Sequence, residues 1–420
     1  MIIRRYARAA AAITAAGLLA ACSAAADTPD APPTGDEAAE ISGDITFRTF
    51  PISPEVRANA DEDFWKSQVD AFMDEYPNIK VTNEVLPWAD RDTALSSAIA
   101  GGVAPDIVYM IPNEIVQYQA QGALAPLQDF LVTDGYYENA LKYGNIDGNQ
   151  YSAPILMSVV PTVCNGPLLE QVGMDVPKTW DDLLALGEAA KAKGLYATQL
   201  GFKPNDAMDM GFLPYVQQAG GSTFDEEGNP TLDSPEVLEA VKFLRTLADE
   251  GYIDVDDSVT AVPTEQSGIA EGTVVCEMSQ GAGIMKPYWG DDRVVGPPLE
   301  NVTSAGYGTI GSFTLLEGSD QKEAAAVFLN WITQPEQLTA IHDFSLFYPP
   351  KESAELTMEE GSPEAEAGKY LDVVTPGVQH PKAREVNSVI IAEMQSVLLG
   401  QKSPEDAVAD MQAQAEDIVG

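Results

Sequence analysis

The side chains best placed to grip a solute in this sequence are aromatic and amide-bearing rather than catalytic. Trp88 follows the run Ile79-Lys80-Val81-Thr82-Asn83-Glu84-Val85, and Trp289 lies in a segment after the glycine-rich Gln280-Gly281-Ala282-Gly283. A tryptophan at a strand end offers a flat apolar face for stacking on a ring, and Asn, Asp or Ser beside it can hydrogen-bond hydroxyls. Asn113, after the apolar run Asp106–Ile111, and Asn205 with Asp206, after Thr198–Phe202, supply such groups. Each has a structural alternative: Trp88 can pack over the next helix, Asn113 can cap one, and Asn205-Asp206 suit a turn. Trp65 and Trp331 fall on helical apolar stripes and read as core, while Trp180 belongs to a helix start. Hydrolytic chemistry finds less support. The two histidines, His342 and His380, neighbour no nucleophile motif, and GxSxG, HExxH and Walker sequences are absent. A glycosidase carboxylate pair would be invisible among 65 acids, so an exported glycan hydrolase stands as a competing class. Asp225-Glu226-Glu227-Gly228-Asn229 lacks the alternating ligands and distal Glu of a calcium loop and reads as a turn. No metal site and no cofactor are expected.

The first residues carry a different chemistry. Arg4, Arg5 and Arg8 precede the short apolar run Ala9–Ala21, which ends in Leu19-Ala20-Ala21-Cys22. A basic start, an apolar stretch too short to span a bilayer and small residues at its end make an export signal. Small-small-Cys after such a run resembles the lipobox of bacterial lipoproteins, which implies cleavage before Cys22 and a diacylglycerol on its thiol. The alternative is an ordinary signal cut elsewhere, leaving a free thiol. Ser23–Ser42 has almost no large apolar residue and reads as a flexible spacer.

The chain has 420 residues, with 23 Lys+Arg against 65 Asp+Glu and a net charge of −42. Such a surface repels nucleic acid and anionic headgroups. The roughly 380 residues after the spacer exceed one small core, so two lobes are expected. With Cys22 set aside, Cys164 and Cys276 remain in an oxidising compartment. Even parity favours a disulfide, and two separate buried thiols are the alternative.

The elements that must position these groups follow from periodicity. Ile45–Phe50 alternates as a strand, and Trp65, Val69, Phe72, Met73 and Tyr76 form one helical stripe from about Asp63. With the strands at Ile79–Val85 and Asp106–Ile111 and a helix between them, the order is βαβαβ, which calls for a parallel sheet. Strands are expected at Val159–Val163, Thr198–Phe202 and Thr273–Met278. Helices are expected from Thr179 (a cap, with Asp181 and Asp182 in the first turn), Glu236–Asp249, about Asp320, Arg384–Leu399 and Pro404–Val419.

Four stretches carry a family resemblance: Phe72–Val81, Gly101-Gly102-Val103-Ala104-Pro105-Asp106-Ile107-Val108, Pro177-Lys178-Thr179-Trp180-Asp181-Asp182-Leu183, and Gly311 through Pro335-Glu336 to Tyr348-Pro349-Pro350. Their order and spacing resemble the family 1 extracellular solute-binding proteins of ABC importers, the maltose-binding-protein-like group. The resemblance implies an α/β, two-lobed periplasmic-binding-protein type II fold, with mixed sheets flanked by helices and a ligand cleft between the lobes. It implies a signal peptide at 1–21, a lipidated linker at 22–42, an N-lobe of 43–158 and 306–348, and a C-lobe of 159–305 and 349–420. Tyr307 then sits at a crossing, and Ser312 falls in a late glycine-rich loop lining the cleft. The implied function is capture of a carbohydrate by lobe closure and delivery to an ABC permease. The protein would be a monomer outside the cytoplasm, held to the cell membrane by its lipid, with no nucleic-acid partner and no enzymatic activity. A non-sugar solute such as a polyamine is the alternative for the same fold. Cys164-Asn165 replaces the relatives' frequent Tyr-Asn, and Gln280–Gly283 replaces a Gly-Pro-Trp-like turn, which weakens transfer of contacts in the C-lobe. If the lipid is present, Cys22→Ser should move the protein from the membrane fraction to the soluble one; unchanged fractionation would dismiss the anchor.

Overall fold

The computed structural model describes residues 36–53, 59–203, 209–260 and 262–420. Cys22, the expected signal peptide at 1–21, and both Asn205 and Asp206 lie outside the described residues. The first lobe forms around strands β1 (Gly43–Thr49), β2 (Ile79–Val85) and β3 (Ile107–Met110). In β1 the alternation sends Ile45 and Phe47 into the core, as a half-covered strand requires. β1 lies parallel between β2 and β3, so all three deliver their carboxyl ends to one edge. A small hairpin of β4 (Asn145–Ile146) and β5 (Asn149–Gln150) precedes β6 (Ala153–Met157). The sheet is mixed rather than parallel throughout. A late strand, β11 (Ile310–Leu315), enters antiparallel between β3 and β6, giving the order β2-β1-β3-β11-β6.

The helix Ala60–Glu75 covers this sheet with Trp65, Val69 and Phe72. Phe47 is the centre of that packing, with Trp65, Phe313 and Phe328 at 5.4, 4.7 and 5.2 Å between ring centroids. Trp331 is also buried there, its Nε1 donating to Glu75 at 2.9 Å. Each well-placed aromatic pair adds about 0.5–1.5 kcal/mol beyond burial. Asp36–Glu40 is a short helix, not spacer. Ala38 is small enough to be buried there, and Asn78 Nδ2 donates to Ala39 O at 3.0 Å.

The second lobe is built on β7 (Thr162–Asn165), β8 (Cys276–Glu277) and β9 (Arg293–Gly296), in the order β8-β7-β9. β7 starts three residues later than the apolar run suggests, because Val159 and Val160 belong to the passage between lobes. The expected strand at Thr198–Phe202 is extended chain outside any sheet: Leu200 N donates to Ser258 Oγ and Phe202 N to Ser258 O. Thr179 caps Trp180–Lys191 as its sequence indicates, accepting from Asp182 N while the Asp182 carboxylate accepts from Thr179 N. That box fixes Trp180, whose ring stacks on Phe243 at 4.1 Å. The helices Pro235–Asp249, Ala383–Leu398 and Pro404–Val419 complete the core. Two further short strands, β10 (Gly306–Tyr307) and β12 (Val374–Thr375), pair in parallel near the junction.

Cys164 and Cys276 face each other across the β7–β8 pair and are joined as a disulfide with a sequence separation of 112. A crosslink over so long a loop restricts the unfolded chain strongly. Replacing both cysteines by Ala should lower the unfolding free energy by about 2–4 kcal/mol, read as an earlier urea midpoint; an unchanged midpoint would count against the bridge as a stabiliser.

Candidate ligand-binding site

The carboxyl ends of β1, β2 and β3 form one wall of the junction between the lobes, the place where open α/β sheets receive ligands. After β2, Pro87 leads into the single turn Trp88–Asp90. Trp88 stacks on Phe50 at 5.0 Å, meets Tyr109 edge-on at 5.9 Å, and donates its Nε1 proton to Pro51 O at 2.8 Å. It still exposes 38 % of its surface. Large aromatic area backed by a buried ring is a stacking shelf, and the Arg91 guanidinium 5.1 Å from the ring centroid borders it.

After β3, the helix Pro112–Ala120 begins with Ile111 as its cap and Pro112 in the first position. The Glu114 carboxylate turns back to accept from Ile111 N at 3.0 Å, so the helix start does not need Asn113. The Asn113 Oδ1 is buried and has no hydrogen-bond partner among the described residues. Asn113 lines a small void with Tyr307, Pro376, Val378 and Gln379, and Gln379 Oε1 is likewise buried without a partner. Unpaired buried acceptors are costly, and the void, about 10 Å³ here, would have to widen before the donors of a ligand could relieve them.

Tyr307 packs with Val160 and Leu213 while facing the same void. Ser312 lies elsewhere. It is in β11 opposite Met110 and 1 % exposed, inside the first lobe's sheet rather than on a cleft loop. Trp289 also departs from its expected place. It ends the helix Ala282–Trp289, is 5 % exposed, and donates to Ile269 O at 3.3 Å. The Gly-rich run before it opens a helix whose apolar face is buried, so the ring is consumed in packing.

The junction contains residues that local sequence signals do not mark. Arg91 Nε meets Glu114 Oε1 at 2.9 Å, and Arg384, from the other lobe, brings Nη1 to 3.8 Å from the same oxygen. No spacing rule links positions so far apart. In the second lobe, Glu277 ends β8 and is 1 % exposed, accepting at Oε1 from Met278 N and Ser279 N at 3.0 and 2.5 Å. Burial raises its pKa against the lowering effect of those bonds.

The passages between lobes are stitched by backbone bonds. Ser158 N donates to Thr309 O at 2.8 Å, Val160 N to Tyr307 O at 2.9 Å, and Met157 and Tyr348 exchange bonds of 2.7 and 2.9 Å. Gly283 is required there, since a Cβ would stand 2.9 Å from the Leu346 Cβ. Beyond Met157 and Tyr348 opens a groove of about 1200 Å³ lined by Leu141, Lys142, Leu371 and Val374. Lys351 at its edge lies 4.2 Å above the Tyr136 ring, and burial brings its pKa down to about 8.

Residues 58–339 match the family model described as bacterial extracellular solute-binding protein. A binding protein of Brucella abortus is 25% identical over 375 residues, covering 83% of this chain and 88% of its own. The arabinooligosaccharide-binding protein of Halalkalibacterium halodurans is 29% identical over 233 residues, covering 50% of this chain and 48% of its own. Among solved structures, the ABC substrate-binding protein of Listeria monocytogenes in complex with cycloalternan superposes with a TM-score of 0.76 at 22% identity. That match covers 90% of this chain and 99% of the Listeria chain.

A carboxyl group whose folded pKa is raised holds its proton longer in the folded than in the unfolded state. For Glu277, stability therefore falls as pH rises from the ordinary carboxyl range through its raised folded value. Glu277→Gln keeps the accepting oxygen and removes the charge. Urea melts should show the variant gaining on the wild type between pH 4.5 and 7.5; a constant difference across that range would refute the assignment.

Proposed function

The chain belongs to the bacterial extracellular solute-binding protein family, and on that premise we propose that it captures an oligosaccharide between its lobes for an ABC permease. Two features carry this reading: the half-exposed Trp88 shelf at one strand end, and the Asn113 Oδ1 and Gln379 Oε1 that have no partner among the described residues at one void. Pyranose rings present an apolar face to the first and hydroxyl donors to the second. The arabinooligosaccharide-binding relative and the cycloalternan-bound Listeria neighbour support the same ligand class. Capture proceeds by closure, with the N-lobe (43–158 and 306–348) and C-lobe (159–305 and 349–420) turning about the stitched passages. Trp88, Asn113 and Tyr307 contribute contacts. The protein acts as a monomer, held outside the cytoplasm by lipid on Cys22, and works by binding rather than by catalysis.

A thermal-shift screen of neutral oligosaccharides, spermidine and amino acids tests this. A ligand at a hundredfold excess over its dissociation constant should add about 2.7 kcal/mol of stability. Trp88→Ala and Asn113→Ala should each weaken calorimetric binding of that sugar by more than about 1 kcal/mol. Stabilisation by spermidine alone would replace sugar with a cationic solute, and release of reducing ends from a glycan would restore the hydrolase.

A further inference from the structure

Resting on the reading of capture by closure, we propose that Glu114 and Arg384 form a latch across the cleft, making Arg384 a positioning residue for the closed state. Glu114 stands on the helix Pro112–Ala120 of the first lobe, and Arg384 on the first turn of Ala383–Leu398 in the second. Their separation of 3.8 Å is ion-pair distance, longer than a hydrogen bond. The pair is shielded: the side chains of Glu114, Arg91 and Arg384 are 2%, 4% and 12% exposed. Attraction in such surroundings is screened far less than on the surface.

The arrangement is asymmetric in a way that suits a latch. Glu114 is held within its own lobe by Arg91 at 2.9 Å and by Ile111 N at 3.0 Å. Opening therefore leaves no stranded buried carboxylate, which would otherwise be strongly destabilising. What opening loses is the attraction of Arg384 alone, a contribution small enough to be reversible. Location ties the latch to the ligand, because Ala383, next to Arg384, lines the void shared by Asn113 and Gln379. Charge makes it useful. A chain of net −42 has lobes that repel one another, and a cation–carboxylate contact across the seam opposes that repulsion.

The test uses no sugar, so its failure is separate from failure of the carbohydrate reading. Small-angle X-ray scattering of the ligand-free wild type, Arg384→Gln and Arg384→Lys would report lobe opening, with circular-dichroism melts as the folding control. Arg384→Gln should have the larger radius of gyration, a several-fold shift toward open molecules, and Arg384→Lys should return most of the way to wild type. Should the Gln variant not fold, Arg384→Met keeps the aliphatic stem and takes its place. Identical scattering from wild type and the neutral variant would overturn the latch. So would an Arg384→Lys curve matching the neutral variant rather than wild type.

Discussion

The backbone pairing at the junction is the constraint on which the molecule turns. Met157 exchanges hydrogen bonds with Tyr348, Ser158 donates to Thr309, and Val160 donates to Tyr307. These bonds bind the passages between lobes into one narrow strip, so a turning of one lobe on the other would fall on a few residues instead of being spread through a loose linker. A strip of this kind fixes which surfaces can meet. The carboxyl ends of β1, β2 and β3 face the second lobe because their chain leaves through β6 and returns through β11. The strip also explains why glycine is needed at position 283, where the second lobe presses against the Leu346 turn of the first.

Charge is distributed in a way that complements this design. The chain is heavily acidic, yet two arginines are turned inward to carboxylates: Arg91 to Glu114 and Arg293 to Glu364 at 2.7 Å. Arg293 also donates to main-chain oxygens, Ala282 O among them, so it ties helix, strand and the Glu364 segment together. Guanidinium suits such sites because it satisfies several acceptors at once with fixed geometry. The exterior is left to repulsion, which keeps molecules apart.

Much of this was legible in residue order. Alternation located β1, the stripe Trp65-Val69-Phe72 located its covering helix, and Thr179 with Asp182 announced a capped helix start. What local pattern could not supply was contact across the chain. The sequence around Trp289 looks irregular, but Pro287 sits inside a helix that a buried apolar face holds in place. Thr198–Phe202 has strand-like residues, but its amides are met by Ser258 rather than by a neighbouring strand. Ala38 sits in a stretch with the composition of a spacer, and one small buried side chain with one amide bond from Asn78 is enough to order it. Arg384 and Glu114 have no signature at all, because their pairing exists only once the two lobes are assembled. The resemblance to the solute-binding family placed the cleft correctly in outline and could not say which side chains line it here.

The position of β11 has a consequence for timing. Its six residues, Ile310–Leu315, complete the middle of a sheet whose other strands lie before residue 158. Until they arrive, β3 and β6 present bare edges with nothing to close them. The second lobe waits longer still, since Ala383–Leu398 and Pro404–Val419 furnish part of its core. A chain emerging from its amino end therefore completes neither body until most of it has been made. Contacts of such long sequence separation form slowly, so both lobes of this chain close late in its folding.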